Sequence, residues 1–123
     1  MKYVLISRNP EIVTAATSPS AFPPGDELII APTWEEALDK CEGADLLFVD
    51  LLATLDEEHK IAGYERFAEA KMAHPIAAAT KLVLIAPPDD YALDFMAGWP
   101  DFVFAHSPRP VTEKIFRRAS TWV

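Results

Sequence analysis

A β-strand points successive side chains to opposite faces, so a strand that is apolar at every position must be covered on both sides. This chain carries five short runs of this kind, at residues 3–6, 27–31, 46–49, 81–85 and 102–105, apolar throughout except for Glu27 and Lys81 at their first positions. Each is too short to read as a buried helix. Helical punctuation lies between them. Asn9-Pro10 stops the first run and puts proline in the first turn of a short helix from Glu11 to about Thr17, which the stiff Ser18-Pro19-Ser20-Ala21-Phe22-Pro23-Pro24-Gly25 segment ends. Thr33-Trp34-Glu35-Glu36 matches a capping box, and Trp34, Ala37, Leu38 and Cys41 follow on one helical face until Gly43. Acidic Asp56-Glu57-Glu58-His59 predicts the positive end of a helix running to about Ala73, where His74-Pro75 breaks it. Pro87-Pro88-Asp89-Asp90 predicts a cap for a fourth helix over residues 91–97, and residues 111–121 read as a closing amphipathic helix.

Five two-faced strands alternating with five helices require a parallel sheet with helices on both faces, which is a doubly wound α/β domain. Right-handed crossovers and the flavodoxin-like strand order 2-1-3-4-5 place a site beyond the carboxyl ends of the strands, near the switch between the first and the third. Those ends carry Ser7, Arg8, Asp50, Ala86 and Ser107.

Composition narrows the functions such a fold can serve. The 123 residues suit one domain. Eleven Lys and Arg against nineteen Asp and Glu leave a formal charge of −8, a field that repels phosphate backbones and anionic lipid heads. Neither nucleic acid nor a membrane surface is therefore an expected partner. Cys41 is the sole cysteine, which rules out an internal disulfide and any multi-cysteine zinc site and suits a reducing cytoplasm. No basic stretch leads into an apolar secretory core, and no apolar run approaches the ~18–20 residues that span a bilayer. The expectation is a soluble, cytoplasmic protein. Four glycines and no glycine-rich phosphate loop speak against a flavodoxin-like small-molecule binder or enzyme that uses the strand-end crevice.

The run Ala44-Asp45-Leu46-Leu47-Phe48-Val49-Asp50-Leu51 resembles the third strand of response-regulator receiver domains, in which the Asp that ends the strand accepts phosphate from a histidine kinase. The resemblance extends over nearly the whole chain. Asn9-Pro10 is similar to the turn after the first strand, Gly63-Tyr64-Glu65 to the glycine-aromatic-Glu start of the third helix, Ala86 to the position after the fourth strand, and Ser107-Pro108 to the Lys-Pro step after the fifth. The departures are informative. Ser7 and Arg8 stand where the family has two acidic Mg²⁺ ligands, and a guanidinium has the wrong charge for a metal. Ala86 lacks the hydroxyl of the family's switch Ser or Thr. The family's Lys is either replaced by Ser107 or supplied, two residues on, by Arg109 of Arg109-Pro110. The stretch from Asp50 to Gly63 is also longer than the family's.

Phosphoryl transfer depends on positioning and on neutralising developing charge, which Asp50 alone does not do. The resemblance therefore implies an atypical, pseudo-receiver domain that acts by binding a protein partner or a second copy and needs no cofactor. The alternative is a working phospho-acceptor, phosphorylated on Asp50 with Mg²⁺. Arg8 either lies on the surface or pairs with Asp50 as a fixed cation in place of a metal. The Asp56–His59 acids and His106 read as a solvated turn and a loop residue rather than as ligands or a base. By the same resemblance, the fourth helix, fifth strand and fifth helix form the contact face, with Tyr91, Asp94, Phe104, Lys114 and Arg117 as its candidate residues; Tyr91, Phe95 and Phe116 supply apolar area that is either core or contact, and the simpler reading of Phe104 is a core side chain.

Overall fold

The computed structural model describes residues 1–88, 90–94 and 103–122. Strands β1 (Lys2–Ile6), β2 (Glu27–Ala31), β3 (Leu46–Asp50), β4 (Lys81–Ile85) and β5 (Val103–Ser107) form one all-parallel sheet in the order β2-β1-β3-β4-β5. With helices on both faces this is a flavodoxin-like α/β fold. The central strands β1 and β3 are buried almost throughout, as two-faced apolar runs require.

Strand alternation divides the core in two. Val4, Ile6, Leu47, Val49, Leu82 and Leu84 face α2 (Trp34–Asp39) and α4 (Ala62–Ala73), which contribute Ala37, Leu38, Tyr64 and Phe67. Tyr3, Leu5, Phe48, Val83 and Ile85 face the opposite way, toward Ile12 and Ala16 of α1 (Pro10–Ala16) and Phe116 and Ala119 of α5 (Glu113–Ala119). Phe48 and Phe116 meet edge to face at 5.0 Å between ring centroids, and Phe22 from the proline-rich segment stacks on Tyr3 at 4.3 Å. Each such ring taken out of water contributes about 1.5–3 kcal/mol. Phe116 thus belongs to the core and not to a contact face.

The punctuation residues act as their chemistry predicts in two places. The Asn9 side chain accepts from the Glu11 and Ile12 N–H groups at the head of α1, and the Thr33 hydroxyl accepts from the Glu36 N–H at the head of α2. Helix α2 then stops at Asp39, a turn short of the periodic pattern; Cys41 is buried beyond its end, and Gly43 takes a φ of +74°.

Three expectations fail. The acidic stretch 56–59 does not open a helix: the chain makes a single turn, α3 (Leu51–Thr54), directly after β3, then an irregular loop, and α4 begins only at Ala62. The reason lies at Gly63, where a Cβ would meet the Thr54 carbonyl oxygen, the Asp56 nitrogen at 2.7 Å and the Leu55 Cα at 2.9 Å. The head of α4 docks directly on the backbone that leaves α3, so the intervening residues bulge outward. Residues 91–94 are also not helical, and the rest of the expected fourth helix, with Phe95 and the Asp89 cap, lies outside the described residues. Phe102, the expected start of the last strand, is likewise outside them, and the strand extends past Ala105 through Ser107; the closing helix is shorter than expected and passes into a 3-10 turn at Ser120–Trp122.

Among the described residues no helix is long and apolar enough to cross a membrane.

Candidate functional site

In-register pairing sets Ile6 beside Val49, Asp50 beside Ile85 and Ile85 beside Ser107, so the loops after β1, β3, β4 and β5 leave the sheet along one edge. Asp50 is the last residue of β3 and the N-cap of α3, and one of its carboxylate oxygens accepts from the Leu52 N–H at 3.2 Å. Ser7, the first residue after β1, donates its hydroxyl to the other oxygen at 3.2 Å and accepts in turn from the Asn9 N–H at 3.1 Å.

The cation at this carboxylate is Arg109. Its Nη2 is ion-paired with Asp50 Oδ1, and its Nε donates to the Ala86 carbonyl at 2.9 Å. One guanidinium thus ties the loop after β5 to the ends of β3 and β4. Only 3% of the Asp50 side chain and 14% of that of Arg109 are exposed. Burial raises the Asp50 carboxyl above the usual carboxylate range, and Arg109, Ser7 and the Leu52 N–H pull in the opposite direction without fully cancelling it.

Two sequence readings are corrected here. Arg8 does not pair with Asp50: it follows Ser7 along the chain and donates to the Ala53 carbonyl near the end of α3 at 3.3 Å. It lines a separate cleft of about 260 Å³ with Thr33 and Trp34. Of the two residues left open after β5, Ser107 turns its hydroxyl to the Pro108 carbonyl at 3.1 Å, whereas Arg109, followed by a cis peptide to Pro110, reaches the carboxylate. Ala86 joins the site through its backbone: its oxygen accepts from Arg109 and its N–H donates to the Ser107 carbonyl at 2.9 Å.

Of the candidate contact residues, Tyr91 and Asp94 close a clasp over the loop between α3 and α4. The Tyr91 ring stacks on His59 at 4.4 Å and its hydroxyl accepts from the His59 N–H at 2.9 Å. His59, at a φ of +63°, bonds Ala92 O through Nδ1 at 2.6 Å, which places a ring proton on that nitrogen. The Asp94 carboxylate accepts from the Ile61 N–H at 2.8 Å, and the Asp94 N–H donates to His59 O at 2.8 Å. Nothing in the sequence pairs residues 59–61 with 91–94; these are single polar contacts between two irregular loops, with no period to betray them. Phe104, by contrast, stands 47% exposed on β5, with Lys81 Nζ 4.8 Å above its ring and Trp122 at 6.1 Å. A register irregularity opposite Leu82 and Val83 sets it apart from the ladder. Lys114 and Arg117 are exposed on α5, and His106 is exposed on β5.

Among the described residues no group of three His, Cys, Asp or Glu side chains is placed to hold a metal ion. The Asp56 carboxylate is ion-paired with Arg66. Around Asp50 the arrangement can hold a buried charge and fasten three loops. No protein-family model matches the chain, and comparison with curated proteins finds none similar to it.

Proposed function

We propose that this chain is a receiver-like signalling module of the cytoplasm that works through protein–protein contact, without conventional Mg²⁺-dependent phosphorylation, and is not an enzyme. The observation that carries this reading is the environment of Asp50. Its described polar partners are a hydroxyl, a backbone N–H and a guanidinium, all of them donors. Attack on a phosphoryl group needs a carboxylate oxygen that is accessible and a cation that neutralises the incoming oxygens. Here the carboxylate is buried, and Arg109 already compensates its charge. Ser7 and Arg8 supply no carboxylate toward a metal, and Ala86 offers no hydroxyl to a phosphoryl oxygen.

With that chemistry set aside, recognition rests on a surface. The exposed Phe104 on β5 and the exposed Lys114 and Arg117 on α5 support a partner or a second copy at this face. A single experiment tests the core of the reading: incubation with acetyl phosphate and Mg²⁺, followed by intact-mass measurement. No adduct is expected. A stable phosphate adduct that disappears in Asp50→Asn would overturn the proposal in favour of an Asp50 phospho-acceptor served by a histidine kinase.

A further inference from the structure

A cleft of about 360 Å³ opens beside the Asp50–Arg109 pair, between the head of α1 and the loops that follow β4 and β5. It lies beyond the carboxyl ends of the strands, where open α/β sheets bind their ligands, and its volume falls in the range of small-molecule sites. Its walls are mixed. Ile12, Val111 and the rings of Pro88 and Pro110 give it an apolar side, Asn9 a neutral polar one, Arg109 brings a cation, and Glu11 brings an exposed carboxylate.

The charges specify the ligand. Two of the five N–H groups of Arg109 are committed, to Ala86 O and Asp50 Oδ1, and the side chain stays partly open where it lines the cleft. A guanidinium in that state takes a carboxylate. A bare carboxylate, however, would enter a cleft where Asp50 already balances Arg109 and Glu11 adds a further negative charge, on a chain whose formal charge is −8. A molecule that also carries an ammonium satisfies Glu11 and meets no net repulsion. A bare amine, conversely, leaves the guanidinium unused. We infer that this cleft binds a small zwitterion with an aliphatic body, of the class of free aliphatic α-amino acids, its carboxylate on Arg109 and its ammonium on Glu11. The inference goes beyond the signalling reading and does not need it, because the cleft, its apolar walls and its two charges stand whether or not Asp50 accepts phosphate.

Three probes with one carbon skeleton test it: leucine, 4-methylpentanoate, which lacks the amine, and isopentylamine, which lacks the carboxylate. Each is titrated into the ¹⁵N-labelled protein up to about 10 mM, where millimolar ligands register. Leucine should give saturable shifts at the Ile12 and Val111 amides and at the Arg109 Nε, and neither of the other two should bind as well. Glu11→Gln, an exposed position that leaves the core untouched, should weaken leucine about tenfold, the worth of one charge-assisted hydrogen bond. Failure of leucine to shift these signals, equal binding of 4-methylpentanoate or isopentylamine, or unchanged affinity in Glu11→Gln would each overturn the assignment. None of these results depends on the acetyl phosphate experiment, so the two readings fail separately.

Discussion

Replacing Arg109 by methionine keeps an unbranched apolar stem and removes the guanidinium with its charge, leaving Asp50 in a site where 3% of its side chain meets solvent. Ser7 and the Leu52 N–H remain, each at 3.2 Å, but neither carries a compensating charge. Breaking one partner out of a buried ion pair costs about 3–5 kcal/mol, most of it the desolvation of the charge left behind. The lost Nε bond to the Ala86 carbonyl acts in the same direction and is not added separately. A loss of that size is a large share of the about 5–15 kcal/mol that holds a domain folded, and it lowers the melting temperature by roughly 10–20 °C. Its pH dependence is fixed in sign. Burial already sets the folded-state value of Asp50 above the unfolded one, and removal of Arg109 raises it further. The folded state then binds the extra proton, so stability falls as pH rises from the unfolded value through the folded value, and the penalty fades toward about pH 4. Urea unfolding followed by circular dichroism measures this at neutral and acid pH. Asp50→Asn in the Arg109→Met background removes the stranded charge and should recover about 2–4 kcal/mol at neutral pH. A loss below about 1 kcal/mol in Arg109→Met, or a loss that neither acid nor Asp50→Asn reduces, would refute the assignment of Arg109 as the counter-charge that makes a buried Asp50 tolerable.

Gly63→Ala should destabilise by about 1–3 kcal/mol, although alanine is the better helix former by about 1 kcal/mol, because the new methyl would press on backbone of residues 54–56 that has no side-chain freedom to yield; an unchanged or raised urea midpoint would show that the loop after α3 is free to move. Lys71, 2% exposed, has its ammonium held below the usual lysine value by burial, so stability is lost as pH falls from the ordinary lysine range through that lowered value; Lys71→Met should therefore gain about 1 kcal/mol at neutral pH and lose the advantage in strong alkali, and a less stable Lys71→Met at neutral pH would sink that account.

What the sequence disclosed follows the range of the forces involved. Burial of a whole strand leaves a run of four or five apolar residues, so the parallel sheet and its order are legible in residues such as Leu46-Leu47-Phe48-Val49. Caps are local as well, and Thr33 is where the capping-box pattern puts it. The start of α4 was not legible. Asp56-Glu57-Glu58 is a good helix N-terminus by composition, yet the close approach at Gly63 decides the matter, and it depends on a packing distance that no local preference encodes.

The candidate site divides in the same way. That Asp50 lies at a functional edge follows from its place at the end of a two-faced strand, but the identity of its cation depends on where the β5 loop turns back, fifty-nine residues away in the chain. Arg8 looked nearer because it is the neighbour of Ser7; both lie in the turn after β1, where Ser7 reaches Asp50 and Arg8 reaches the Ala53 carbonyl instead. The cation arrives from a loop, and with it come the Ala86 contact and a wall of the neighbouring cleft. Arg109 therefore has three duties in one guanidinium: neutralising Asp50, fastening β5 to β4 and presenting donors to the cleft. Lysine at that position, with a single ammonium on a flexible stem, could neutralise Asp50 but could not present a planar fork to the Ala86 carbonyl and the carboxylate together. Arg109 thus builds the fixed, loop-fastening geometry of this edge of the sheet.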